Sequence, residues 1–240
     1  ASDNCGSVTV THQGDVISGQ TCTNRYTITR TYRATDAAGN FAECTQIITV
    51  NDQTAPVITC PANVTVSCAS AVPAVNTGDV TATDNCGGTI IITHESDVIS
   101  AQTCANRYTI TRTYRATDIC GNFSECTQII TVQDTTAPTI TLCPANITIE
   151  CDDSILPDST GMATATDNCD SAPTVTYDDS IAPSQTCIQE YTITRTWLAT
   201  DDCGNTSTCT QVIVVDDRTA PVITFCPANV TIECTDDPSY

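Results

Sequence analysis

The sequence predicts an all-β protein made of tandem, disulfide-stapled β-sandwich repeats of about 83 residues, and three observations predict it. The first is periodicity: ATDAAGN begins at Ala34, ATDICGN at Ala116 and ATDDCGN at Ala199, spaced 82 and then 83 residues apart. CPANVT, CPANIT and CPANVT begin at Cys60, Cys143 and Cys226, 83 residues apart each time. The second is alternation: in YTITRTYRATD, Tyr108, Ile110, Arg112, Tyr114 and Ala116 share one face of a strand, and Thr109, Thr111, Thr113 and Arg115 share the other. The third is cysteine usage: 17 cysteines in 240 residues, regularly spaced and without a CxxC, read as disulfides of an oxidising compartment rather than as zinc ligands.

The repeats join at TAP, which recurs at Thr54, Thr136 and Thr219 between two apolar strands. Proline fixes φ there, and the joint has almost no Gly or Ser, so successive repeats are expected to form a semi-rigid, elongated rod. On this frame residues 1–53 are the C-terminal part of one repeat, 54–135 and 136–218 are complete repeats, and 219–240 opens the next. Both ends then fall within a repeat, and a longer parent protein is expected. Inside a repeat, VTATDNCGG ends a strand in a Gly-rich turn, CGNFS is a hairpin turn, and ECTQIITV is the return strand.

Composition narrows the function classes. Aromatics are 5% of residues, so each core is small and built mainly from Val, Ile and Thr. A net charge of −20, with no Lys and eight Arg, argues against nucleic-acid binding, which needs a basic patch. No apolar run of about 18 residues signals membrane insertion in this segment. His12 and His94 are the same repeat position, so a catalytic triad or three-histidine zinc site has no basis, and no nucleophile elbow or phosphate loop appears. The expectation is a protein that is not an enzyme.

ATDxCGNxSxCTQ, DxTAPxITxCPANxT and VTATDNCG resemble the HYR-like, immunoglobulin-like repeats strung along giant cell-surface adhesins of gliding and related bacteria. The resemblance covers essentially the whole chain. It implies an immunoglobulin-like fold, an extracellular, cell-surface location, and a role in adhesion, motility or fibres. Ala38 departs from the pattern, standing where Cys120 and Cys203 stand in the later repeats.

If the fold is immunoglobulin-like, its topology favours Cys60–Cys126, Cys68–Cys104 and Cys86–Cys120, then Cys143–Cys209, Cys151–Cys187 and Cys169–Cys203. Ala38 then leaves Cys5 unpaired; a Cys120–Cys126 hairpin pair would instead leave Cys44 unpaired. The same rod geometry gathers Asp52 with Asp84 and Asp118, and Asp134 with Asp167 and Asp201, as candidate Ca2+ ligands at the inter-repeat joints. The competing reading is that these aspartates close Asx-turns. Arg30, Arg112 and Arg195 sit in the buried register, and an acidic residue of the same repeat is expected to face each.

Asn63, Asn122, Asn146, Asn205 and Asn229 begin sequons, and Thr135, Ser154 and Ser180 follow Asp as O-glycosylation candidates. Three functions remain: a stalk whose partners are neighbouring repeats of the same chain, a filament subunit that binds copies of itself, and a module for surface glycans. Phe41 and Phe123 are the best aromatic candidates for the last, and Thr206 replaces them in the third repeat.

Overall fold

The computed structural model describes residues 1–183 and 190–231. It is all-β apart from short helical turns and divides into two compact units, Ala1–Thr136 and Ala137–Tyr240, separated within a TAP segment.

In the first unit, β1 (Thr9–Cys22), β2 (Arg25–Thr35) and β3 (Phe41–Asn51) form one antiparallel meander. After it come β4 (Val57–Thr59), β5 (Val64–Val66), β6 (Thr81–Thr83), β7 (Ile91–Cys104), β8 (Arg107–Thr117) and β9 (Phe123–Gln133). β4 pairs with β6 in a small sheet, while β5 crosses to the larger sheet, ordered β5-β9-β8-β7, and runs parallel to β9. The crossing is the CPAN segment, where Pro61 cannot donate to a ladder. Three side-chain links tie it to the return strand. Cys60 bonds Cys126, the Asn63 carbonyl accepts from Ile129 N at 2.8 Å, and Gln128 donates to Ala62 O at 2.8 Å.

The second unit repeats this plan. β10 (Thr139–Leu142) pairs with β12 (Thr164–Thr166); β11 (Ile147–Ile149) joins the sheet of β15 (Thr206–Val215), β14 (Tyr191–Thr200) and β13 (Thr174–Pro183). One helical turn, α1 (Pro157–Thr160), precedes β12. Cys143–Cys209, Asn146 with Val212 N and Gln211 with Ala145 O reproduce the three links. The recurrence of CPAN and CTQ is therefore the recurrence of one cross-braced corner.

The alternating strand places its apolar face inward. Ile110, Tyr114 and Ala116 are buried with Ile130 and Val132; Ile193, Trp197 and Ala199 are buried with Ile213 and Val215. The register arginines lie in this layer. Arg112, 4% exposed, pairs with Asp97 directly across the β7–β8 ladder and donates to Pro73 O. Arg195, 1% exposed, pairs with Asp179 and donates to Thr160 Oγ1 and Ile155 O. Arg30 takes both oxygens of Asp15 in the more open first meander. The bulge between His94 and Ser96 brings Asp97 opposite Arg112.

Two of the expected bridges are corrected. Cys120 bonds Cys22, not Cys86, which keeps a free thiol. The β1–β2 hairpin turn docks on the loops of Cys86 and Cys120, so the nearest sulfur to Cys120 is that of the preceding meander. Cys151 is also free, exposed in a turn closed by Glu150 and Asp153; its expected partner, Cys187, lies outside the described residues. Cys5 and Cys44 both carry free thiols. Cys68, Cys104, Cys169 and Cys203 are disulfide-bonded.

Candidate functional site

The repeated aspartates first do local work. Asp118 Oδ1 accepts from Cys120 N at 2.8 Å and Asn122 N at 2.9 Å, and its Oδ2 accepts from the Asn122 amide at 2.7 Å. Burial opposes its charge, but the Asn122 amide and the loop N–H groups outweigh burial and hold its pKa below the ordinary value. Asp36 and Asp201 close the same loop in the same way. Gly121 completes it at φ 84°, a conformation that favours glycine.

The joint inside the first unit is built from both sides. From the β1–β2 hairpin, Cys22 bonds Cys120, with Cα atoms 5.2 Å apart. Asn24 donates to Cys86 O at 3.1 Å. Arg25 reaches three acceptors: Asp52 O at 2.6 Å, Cys120 O at 3.2 Å and Asn122 Oδ1 at 3.4 Å. From the following repeat, Asn122 donates to Asp52 O and Ser124 Oγ to Pro56 O. The linker is thus clamped between the hairpin behind it and the loops ahead of it. Sequence reasoning missed Cys22, Asn24 and Arg25. Their signal was present: TCTNRYTITR and TCANRYTITR begin at Thr21 and Thr103, yet the third repeat has Glu190 where Arg25 and Arg107 stand.

Asp52 and Asp84 meet at this joint. One ligand atom each from Asp52, Asp84 and Cys86 lies within 4.8 Å of the other two. Asp118 is not in the group, because its own turn engages both its oxygens. Asp52 is 5% exposed; its Oδ1 accepts from Thr54 N, and Asp84 Oδ1 accepts from Cys86 N at 2.9 Å. The Oδ2 atoms of both aspartates are buried with no hydrogen-bond partner. A buried acceptor left unmet costs about 1–3 kcal/mol, and more when charged. Elsewhere in the first unit, Asp134 is fully buried and its Oδ1 accepts from Thr136 N. In the second unit, Asp167 Oδ1 accepts from Cys169 N and Asp170 N, and its Oδ2 is buried without a partner.

The glycan candidates divide by what their side chains already do. Asn63 and Asn146 are exposed and use only their carbonyl oxygens; Asn229, Thr135, Ser154 and Ser180 are exposed. Asn122 and Asn205 have their amide nitrogens, the atoms an N-glycan would modify, committed to Asp118 and Asp201. Phe41 and Phe123 are exposed, but Arg33 and Arg115 lie over their rings at 4.2 and 4.5 Å, which occupies a face a sugar would stack on.

Residues 56–132 match the family model of the HYR-like domain with 4 cysteines, so this segment is similar to an HYR-like repeat. No curated protein matches the chain. Among solved structures, the extracellular domain of protocadherin GammaB4 is 16% identical at a TM-score of 0.35, covering 88% of this chain and 43% of that one. Drosophila N-cadherin EC1-4 is 13% identical at 0.32, covering 80% and 58%. Human CDH23 EC21-23 is 16% identical at 0.31, covering 78% and 74%. The chain thus spans less than half the length of the protocadherin GammaB4 chain. Among the described residues, no helix is long and apolar enough to cross a membrane.

Proposed function

We propose that this chain is a structural and adhesive segment of a secreted bacterial surface protein, a semi-rigid stalk whose repeats span 54–135 and 136–218, flanked by parts of neighbouring repeats at 1–53 and 219–240. The Cys22–Cys120 bond carries the reading. It links residues 98 apart, across a TAP joint, from one repeat to the next. A fold that needed disulfides only for stability would close them within a repeat, as Cys60–Cys126 does. A bond across the joint restrains bending there, and the three acceptors of Arg25 add a second restraint on the same linker.

Small-angle scattering of the oxidised chain, the Cys22→Ser variant and the Arg25→Ala variant tests this. The stalk reading expects a rod-like profile that shortens and broadens when Cys22 is lost. A profile unchanged by either substitution removes the role assigned to the joint.

One observation favours lateral association into a fibre as the second reading. β7 is a 14-residue edge strand that exposes Val98 and Ile99, and the counterpart strand β1 exposes Val16 and Ile17. Sedimentation velocity separates the two: a stalk segment stays monomeric as concentration rises, and a fibre subunit does not.

A further inference from the structure

We propose that Asp52 and Asp84 hold a hard divalent cation, Ca2+, at the joint inside the first unit. The argument starts from unmet acceptors. Two carboxylates of like charge approach each other, Asp52 is 95% removed from solvent, and an oxygen of each is buried without an N–H or O–H donor; the group that lies against Asp52 is the Cys86 thiol, a weak donor that carries no positive charge. No arginine reaches these oxygens: Arg25 spends its contacts on the Asp52 backbone carbonyl, Cys120 O and Asn122 Oδ1. Two buried anionic oxygens with no cationic partner call for a cation.

The other oxygen of each pair fixes the site in advance. The backbone N–H groups of Thr54 and Cys86 hold the Oδ1 atoms, so both carboxylates are oriented before a cation arrives. One carboxylate comes from the linker and one from the loop of the following repeat, so a bound ion bridges the joint that Cys22 and Cys120 also bridge. Oxygen donors select a hard cation. Ca2+ accepts six to eight oxygens in adaptable geometry and fits two carboxylates completed by carbonyls and water; Mg2+ demands a near-ideal octahedron. The third member of the group, Cys86, is not needed as a ligand. At the equivalent position of the second unit, Asp167 has the same partnerless Oδ2 while the sulfur of Cys169 is in a disulfide.

The proposal goes beyond the stalk reading, since a cation can bind whether or not the chain is a stalk. The test is titration calorimetry of the full oxidised chain with CaCl2, MgCl2 and ZnCl2, with melting curves in Ca2+ and in EDTA. We expect Ca2+ to bind with Kd of about 0.1–1 mM, in the range of extracellular modules. Asp84→Asn should weaken one equivalent at least tenfold, and Cys86→Ser should leave it unchanged. In EDTA, Asp84→Asn should melt no lower than the parent, because it removes a like charge beside Asp52. Asp52→Asn provides the same readings if Asp84→Asn fails to fold. No Ca2+ binding, binding indifferent to both substitutions, or a Zn2+-selective site lost in Cys86→Ser would each overturn the proposal.

Discussion

Arg112 lies directly opposite Asp97 across the β7–β8 ladder and donates to both of its carboxylate oxygens, at 2.8–3.2 Å, from within the buried layer. The same cross-strand pair recurs as Arg30–Asp15 and Arg195–Asp179 with increasing enclosure of the arginine, from 32% to 4% to 1% side-chain exposure. A buried guanidinium that loses its carboxylate keeps its desolvation cost without compensation. Asp179→Ala should therefore destabilise by about 3–4 kcal/mol and Asp97→Ala by about 2–3, with Asp15→Ala, at the solvent-screened pair, the least of the three. Urea denaturation of the three variants checks the order; equal losses would contradict it.

The same pairs set a pH dependence. Hydrogen bonds from Arg112, then from His94, hold the Asp97 carboxyl below its ordinary value against the opposing effect of burial, and the Asn40 amide does the same for Asp36. A depressed folded pKa contributes stability that is present above the unfolded value, about 3.9. That contribution fades as pH falls through the lower folded value. Melting temperature should hold from pH 7 to about 5 and drop below about 4. Asp97→Asn should melt lower than the parent at neutral pH and show a shallower acid drop; an equally steep drop would assign acid sensitivity elsewhere.

The turn after β8 makes a sharper local test. Asp118 satisfies two backbone N–H groups and the Asn122 amide, so Asp118→Ala should cost about 1–2 kcal/mol. Gly121→Ala should cost about 1 kcal/mol through φ alone, since nothing lies within 4 Å of an added Cβ. Calorimetric melting of both variants measures these losses. A Gly121→Ala variant as stable as the parent would show that the loop relaxes out of its positive φ.

Much of this architecture is legible in the sequence because its signals are local. A period of two puts Ile110, Arg112, Tyr114 and Ala116 on one face, and burial follows that face. An arginine in a buried register demands a carboxylate, but naming Asp97 requires the bulge at His94–Ser96, which shifts pairing without marking the sequence. The aspartates were ambiguous for a physical reason: an Asx-turn and a metal site both use an exposed-loop Asp before a backbone N–H. Geometry separates them, since Asp118 has both oxygens engaged while Asp52 and Asp84 keep one each unmet. The Cys22–Cys120 bond is not legible from the repeat pattern because it joins consecutive repeats, and spacing within one repeat carries no signal for a partner in the next.

Loss of that bond should be felt thermodynamically as well as in shape. Restraining a loop of 98 residues removes much denatured-state entropy, so Cys22→Ser should lower stability by about 2–4 kcal/mol. Urea denaturation under oxidising conditions measures it, with Cys44→Ser, at a free exposed thiol, as the control expected to show no loss.

Peptide mapping of the oxidised chain without reduction tests the central claim most directly. Consecutive repeats locked through the joint predict a cross-linked peptide pair containing Cys22 and Cys120, with Cys86 alkylated as a free thiol. A Cys86–Cys120 peptide with Cys22 alkylated would contradict the account, because each repeat would then close its own bridges and the joint would have no covalent lock.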